Sequence, residues 1–111
     1  MSEADHEAGA TESVVVDIPA ESKFEIRVGG ERAGMVLYQL NGQVISLMHT
    51  EVADQFQGMG LASKLARGVL DEARDRGLAV LPYCPYIRSW IAKNPDYVDL
   101  VPLDRRAQFD L

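Results

Sequence analysis

The stretch Gln57–Gly60 carries the clearest chemical signal in this 111-residue chain, because it places Gly58 and Gly60 just before an apolar helical pattern that starts at Leu61. Glycine lets a backbone turn sharply and brings its N–H groups close to a ligand. The first N–H groups of a helix have no internal partners and lie at the positive end of the helix dipole. A glycine turn at a helix start therefore predicts an anion site suited to a pyrophosphate, and the small Ala62 leaves the approach open.

Two other glycine-rich phosphate loops do not match this stretch. A mononucleotide loop requires Gly-x-x-x-x-Gly-Lys-Ser/Thr, whereas Ser63-Lys64 follows the turn in the reverse order. A dinucleotide loop requires Gly-x-Gly-x-x-Gly, and after Gly58 and Gly60 the third glycine position holds Ser63. The sheet that precedes the turn is also predicted to be antiparallel, which does not fit a βαβ unit.

Three strands and two tight turns are predicted before the glycine turn. Lys23–Val28 alternates polar and apolar residues, as a half-buried strand does. Ala33–Leu40 and Gln43–Thr50 are the next strands, and a short extended piece is predicted at Val14–Val16, before the first strand. The turns at Gly29-Gly30-Glu31 and Asn41-Gly42 are typical of hairpins. The first half of the chain is therefore predicted to be an antiparallel meander.

The second half has a helical period. Apolar residues between Leu61 and Arg76 recur at spacings of three and four, which predicts one amphipathic helix that ends at Gly77. Leu78–Leu81 is a short apolar strand, and Tyr86–Lys93 is a short helix that begins after Pro85. The last dozen residues are expected to be irregular and to lie on the surface. The fold class is α+β: a meander, a β-loop-α unit, a further strand and a further helix.

The segment from Gln57 to Ala62 resembles the Gln/Arg-x-x-Gly-x-Gly/Ala signature of the GNAT superfamily of N-acetyltransferases. The wider string is similar to small stand-alone (YjdJ-like, minimal) GNAT-domain proteins over roughly residues 22 to 101. It consists of His49-Thr50-Glu51-Val52, Gly58-Met59-Gly60-Leu61-Ala62, Pro82-Tyr83-Cys84-Pro85-Tyr86 and Asn94-Pro95-Asp96-Tyr97.

The resemblance implies a fold of the GNAT type and a site for acetyl-CoA or coenzyme A. It implies that the backbone of Val52 contacts the pantetheine arm and that the segment from Tyr83 to Asn94 flanks the cofactor. The residues that would hold the pyrophosphate are Gln57, Gly58, Met59, Gly60, Leu61, Ala62 and Ser63. Gln57 replaces the commoner Arg, so one cation near the phosphates is absent. The resemblance does not extend to the N-terminal elements of larger GNAT enzymes, which often shape the acceptor site.

Acetyl transfer requires a neutral amine, a polarised thioester carbonyl and a proton for the leaving thiolate. His49 and Glu51 are candidate bases that share one strand face, with a packed histidine and a solvated carboxylate as the alternatives. Cys84 is a candidate nucleophile, with a small buried hydrophobe as its alternative. The candidate acids are Tyr83, Tyr86 and Tyr97, each of which could instead be a packed aromatic.

Composition limits the remaining function classes. Of the 17 acidic residues, six lie in residues 1–21, which leaves 11 to balance the 11 Lys and Arg of the chain. Residues 1–13 are predicted to be a disordered acidic tail, and 14–111 a single domain. The balanced charge of residues 22–111 gives no support to nucleic-acid binding. One cysteine excludes an internal disulfide and a cysteine-rich zinc site, so no metal is expected.

The predicted function is acetyl-CoA-dependent N-acetyl transfer to a primary amine of a small molecule, a peptide or a protein lysine. The alternative is a non-catalytic acyl-CoA-binding sensor or interaction module. No apolar run is long enough to span a membrane and no signal peptide is recognisable, so a cytoplasmic protein without a membrane partner is expected. A monomer or weak homodimer is expected as well.

Overall fold

The alternating strands and tight turns of the first half build most of one sheet. The computed structural model describes residues 12–111. The strands are β1 (Ser13–Ile18), β2 (Lys23–Val28), β3 (Glu31–Asn41), β4 (Val44–Val52) and β5 (Ala79–Pro82), and the helices are α1 (Leu61–Asp75) and α2 (Pro85–Lys93). Strands β1 to β4 are antiparallel neighbours, and β5 joins the edge parallel to β4. The predicted α+β fold is confirmed.

Helix α1 covers one face of this sheet with the apolar stripe that its sequence predicts. Its buried residues are Leu61, Leu65, Ala66, Val69, Leu70 and Ala73. They pack on Phe24, Ile26 and Val36 of the sheet in one continuous core. Gly68 lies so close to β1 that a Cβ there would meet Val15 Cγ2 at 2.8 Å. Neither helix of the described residues is long and apolar enough to cross a membrane.

The opposite side of the sheet is called the open face here and comprises Glu25, Met35, Leu37, His49 and Glu51. Cross-strand pairing puts Glu25, Met35 and Glu51 in one row, and Leu37 and His49 in the next. All of them except Glu25 are partly or fully exposed. The two faces of β4 therefore differ: one packs toward α1, and the other remains accessible to a ligand.

The structure changes the predictions for both ends of the described residues. Ser13 already belongs to β1, which extends the predicted Val14–Val16 piece to six residues, while residues 1–11 of the predicted tail lie outside the described part. The C-terminal dozen is not merely a surface segment, because it folds into 3-10 turns that bury Val101 and Phe109. The Phe109 ring packs edge-on against Tyr83, with centroids 5.2 Å apart. This segment has no regular apolar period that could have indicated its burial.

The contact between α1 and β1 makes Gly68 a test of the packing. Gly68→Val is expected to lower the free energy of unfolding by about 2 kcal/mol or more, because the new side chain enters the space of Val15. Chemical denaturation measures the change. Lys64→Val, at an exposed site of the same helix, is the control and should cost less than about 1 kcal/mol. Equal losses in both variants would contradict the close contact.

Candidate functional site

A cleft opens where β4 and β5 separate. Their parallel pairing runs from Val44–Ala79 to Leu47–Pro82 and ends there, although β4 continues to Val52. The N–H of Cys84 still donates to the carbonyl of Leu47 at 2.8 Å, just before the strands diverge. Beyond this point the edge of β4 has no strand partner on the β5 side within the described residues.

A bulge in β4 determines which backbone groups face this cleft. Leu37 pairs with His49 but Tyr38 pairs with Leu47, so Met48 is an extra residue in β4. The N–H of Ala53 donates to a carbonyl of β3. Backbone groups of successive strand residues point to opposite edges. The N–H and C=O groups of Thr50 and Val52 are therefore directed toward the cleft.

The glycine turn connects the end of β4 to the start of α1. Gly58 and Gly60 have φ values of 79° and 73°, a left-handed conformation that favours glycine. Gly60 occupies the N-cap of α1, where no side chain caps the helix and no acidic residue lies in the first turn. A Cβ built on Gly58 or Gly60 would meet nothing within 4 Å, so the outer surface of the turn is open. The first N–H groups of α1 are therefore not engaged by a capping side chain, which is the arrangement that an anion site at a helix start requires.

Gln57 has a role that sequence reasoning missed. Its side-chain amide donates to the carbonyl of Val52 at 2.8 Å, which ties the start of the turn to the end of β4. The two predicted ligand residues are therefore joined directly. Because the shared atom belongs to the edge that borders the cleft, Gln57 uses the hydrogen-bond acceptor that a ligand of β4 would otherwise approach.

Trp90 of α2 lies against the first turn of α1. Its indole N–H donates to the hydroxyl of Ser63 at 2.8 Å, and the side chain of Asn94 donates to the Trp90 carbonyl at 2.8 Å. The predicted ligands Ser63 and Asn94 are thus part of the support on one side of the cleft. Of the remaining turn residues, Leu61 is buried, Ala62 is half-buried and Met59 is 49% exposed.

Tyr97 fastens the segment that follows α2 to the outer side of α1. Its hydroxyl donates to Asp71 at 2.7 Å and accepts a hydrogen bond from Arg67 at 3.3 Å. The bond to Asp71 is the main reason why the pKa of Tyr97 is raised. The Arg67 guanidinium also lies 5.2 Å from the centre of the Trp90 ring. The Tyr97 hydroxyl therefore has structural partners, which does not favour its assignment as an acid.

The other two candidate acids differ in their surroundings. The hydroxyl of Tyr83 accepts a hydrogen bond from Arg105 at 3.1 Å. Burial raises the pKa of Tyr86, and the charge of the nearby Cys84 adds to this effect. Tyr86 is therefore the candidate acid that lies near Cys84.

The candidate bases and the candidate nucleophile lie on opposite faces of β4. His49 Nε2 and Glu51 Oε2 are 3.0 Å apart on the open face, and both side chains are exposed. Cys84 is 2% exposed, and its Sγ lies 3.1 Å from the hydroxyl of Thr50. Thr50 alternates with His49 and Glu51 along the strand, so the structure brings these residues to the same stretch of β4 but not into one cluster.

A small cavity lies on the β3 side of this stretch. Its volume is about 110 Å³, and it is lined by Arg32, Ala33, Gly34, Met35, Glu51, Val52 and Ala53. It includes two predicted site residues, Glu51 and Val52, but not the glycine turn, which is an open surface. Residues 12–111 contain no cluster of His, Cys, Asp and Glu that could hold a metal ion.

Comparison with known proteins gives concordant results. A family model described as GCN5-related N-acetyl-transferase matches residues 23–100. Protein NATD1 of Mus musculus is 32% identical over 75 residues, which cover 66% of this chain and 68% of the mouse protein. Protein NATD1 of Gallus gallus has the same identity and coverage.

A solved structure supports the architecture. The NMR solution structure of a GCN5-like protein from Staphylococcus aureus superposes with a TM-score of 0.61 at 24% identity. The match covers 80% of this chain and 87% of that chain. At this identity the likeness concerns the fold.

The burial of Cys84 predicts a slow thiol. In the native protein, Cys84 is expected to react with an aromatic disulfide reagent at least about 100-fold more slowly than in denaturant, because the thiol is reached only through a local opening. Absorbance of the released thiolate gives both rates. Thr50→Val, which keeps the shape but removes the hydroxyl, should also react slowly if burial is the cause. Equal rates in buffer and in denaturant would contradict the buried position.

Proposed function

The chain belongs to the GCN5-related N-acetyltransferase family, and from this premise we propose that it transfers an acetyl group from acetyl-CoA to a primary amine. The proposed acceptors are a small molecule, a peptide or a protein lysine. The observation that carries the proposal is the open glycine turn at the start of α1, next to the unpaired edge of β4. A phosphorylated, extended ligand needs both features side by side.

The residues of the turn fit a coenzyme A pyrophosphate. Gly58 and Gly60 leave room for close approach, and the uncapped N–H groups of α1 supply donors at the positive end of the helix dipole. The first cationic residue of α1 after the turn is the exposed Lys64. It can offset the charge that an Arg in place of Gln57 would have neutralised.

The edge of β4 fits the pantetheine arm. Amide groups of an extended arm can pair with the backbone of Thr50 and Val52 in the way an additional strand would. The Gln57 side chain occupies the carbonyl of Val52 in the free protein. We expect it to exchange this partner or to share it when the arm is bound.

Acetyl-CoA supplies an activated acetyl thioester, and the protein must manage protons around it. The His49–Glu51 pair can accept the proton that the attacking ammonium loses, because both side chains are exposed and hydrogen-bonded to each other. We expect Tyr86, which is exposed and lies near Cys84, to be the proton donor to the leaving thiolate. In a covalent alternative, Cys84 itself would take the acetyl group, with Thr50 as its hydrogen-bond partner.

The substitution Gly60→Glu tests whether the glycine turn binds acetyl-CoA. A side chain and a negative charge at this N-cap should weaken acetyl-CoA binding by at least about 100-fold, or roughly 2.7 kcal/mol, in isothermal titration. Gly77→Glu is a matched control, because Gly77 has a similar φ of 67° and lies beyond the other end of α1. Equal affinity in both variants would place the cofactor elsewhere, and no heat in the wild type would contradict the proposal itself.

Mass spectrometry of the intact protein distinguishes the covalent route of acetyl transfer from direct transfer. After incubation with acetyl-CoA and no acceptor, a covalent route predicts one added acetyl group that is lost in Cys84→Ser. Direct transfer predicts an unmodified mass, together with release of coenzyme A only when an amine is present. Binding without turnover over a panel of amines would instead support the alternative function, a non-catalytic acyl-CoA-binding sensor or interaction module.

A further inference from the structure

Three cations surround Glu25 on the open face, and they lie at different distances from its carboxylate. Glu25 is 6% exposed and its carboxylate lies 2.8 Å from Arg27 and 3.1 Å from Lys23. The hydrogen bond from Arg27 is the main reason why the pKa of Glu25 lies below its ordinary value. Arg32 is the third cation of the group, and its closest approach to Glu25 is 3.9 Å. Glu25 therefore already has two closer partners than Arg32.

Arg32 is the least engaged cation of this group within residues 12–111. Its side chain is 54% exposed, and within residues 12–111 it donates no side-chain hydrogen bond. A guanidinium presents a planar fork of N–H donors that matches the two oxygens of a carboxylate. Lys23, by comparison, is also paired with Glu21 at 2.9 Å. The available positive charge of this group is thus that of Arg32.

The cavity of about 110 Å³ has opposite charges in its wall. Arg32 and Glu51 both line it, and the small residues Ala33, Gly34 and Ala53 lie in the same wall. Glu51 has His49 as its side-chain partner and is otherwise exposed. The two strands that carry the charges are close together here, since a Cβ on Gly34 would lie 2.7 Å from the Glu51 carbonyl. A ligand with one cationic and one anionic group a short distance apart matches this arrangement.

We propose that the cavity between Arg32 and Glu51 binds a small free α-amino acid as the acceptor, with its ammonium at Glu51 and its carboxylate at Arg32. The proposal rests on the proposed transferase function for its reaction, although the binding itself does not. The small volume of about 110 Å³ and the small wall residues Ala33, Gly34 and Ala53 suit glycine, alanine or serine rather than an amino acid with a large side chain.

The reaction of such an acceptor balances without a further reagent. The ammonium gives a proton to the Glu51–His49 pair, and the nitrogen lone pair forms a bond to the acetyl carbonyl carbon. The carbon–sulfur bond breaks, and the second proton that the nitrogen loses on becoming an amide passes to the thiolate, which leaves as coenzyme A. The product is an N-acetyl amino acid whose nitrogen is uncharged. Because an uncharged amide nitrogen is not attracted to the Glu51 carboxylate, the product is expected to bind more weakly than the substrate.

The experiment measures binding to the whole chain without cofactor. Saturation-transfer NMR titrations compare L-alanine with L-alaninamide, which lacks the carboxylate, and with propionate, which lacks the amine. Alanine is expected to bind at least about tenfold more tightly than either analogue. Arg32→Gln should reduce the affinity for alanine to that for alaninamide. Arg32→Lys should recover part of the lost affinity because the positive charge remains.

Arg105→Gln is the charge-matched control, because Arg105 pairs with Tyr83 and Gln108 and does not line the cavity. It should leave alanine binding unchanged, and thermal unfolding should show that each variant is folded. Equal binding of alanine and alaninamide, or an unchanged preference in Arg32→Gln, overturns the proposal. Such a result would leave acetyl-CoA binding intact, whereas selective alanine binding without any acetyl-CoA heat would support the cavity and refute the transferase function.

Discussion

The separation of β4 from β5 is the constraint on which the rest of the site depends. A sheet edge with unpaired N–H and C=O groups is costly when it is shielded from water and prone to pair with another chain. Here the edge opens only after Leu47 and Pro82, and it is short. The bulge at Met48 turns the backbone groups of Thr50 and Val52 toward the gap. An extended ligand can therefore complete the hydrogen bonding that the strands leave unfinished.

An opening of this kind must be supported from outside. The Trp90–Ser63 hydrogen bond holds α2 to the first turn of α1. Further along the same helix, the Tyr97 hydroxyl donates a hydrogen bond to Asp71. These contacts join elements on the two sides of the cleft without filling it. The buried Val101 and Phe109 extend the support to the C-terminal segment. The packing thus stabilises a gap in the sheet rather than closing it.

The charges on the open face give that surface a chemistry distinct from that of the glycine turn. The turn offers backbone donors at a helix start, a site for an anion of any kind that fits. Across β4, Glu51 and Arg32 place one negative and one positive group around a small cavity. The proposed transfer needs two binding surfaces that lie side by side, and β4 borders both of these.

Local sequence determined the elements and the position of the turn. The strand alternation of Lys23–Val28 and the helical period from Leu61 onward are properties of neighbouring residues, so both were predictable, as was the common face of His49 and Glu51. The partners of Gln57, Thr50 and Arg32 were not, because each contact depends on how distant strands and loops pack. The burial of Phe109 was missed for the same reason. Only the tertiary structure decided that Cys84 and the His49–Glu51 pair lie on opposite faces of β4, because the connection after β5 sets the side from which Cys84 approaches the strand.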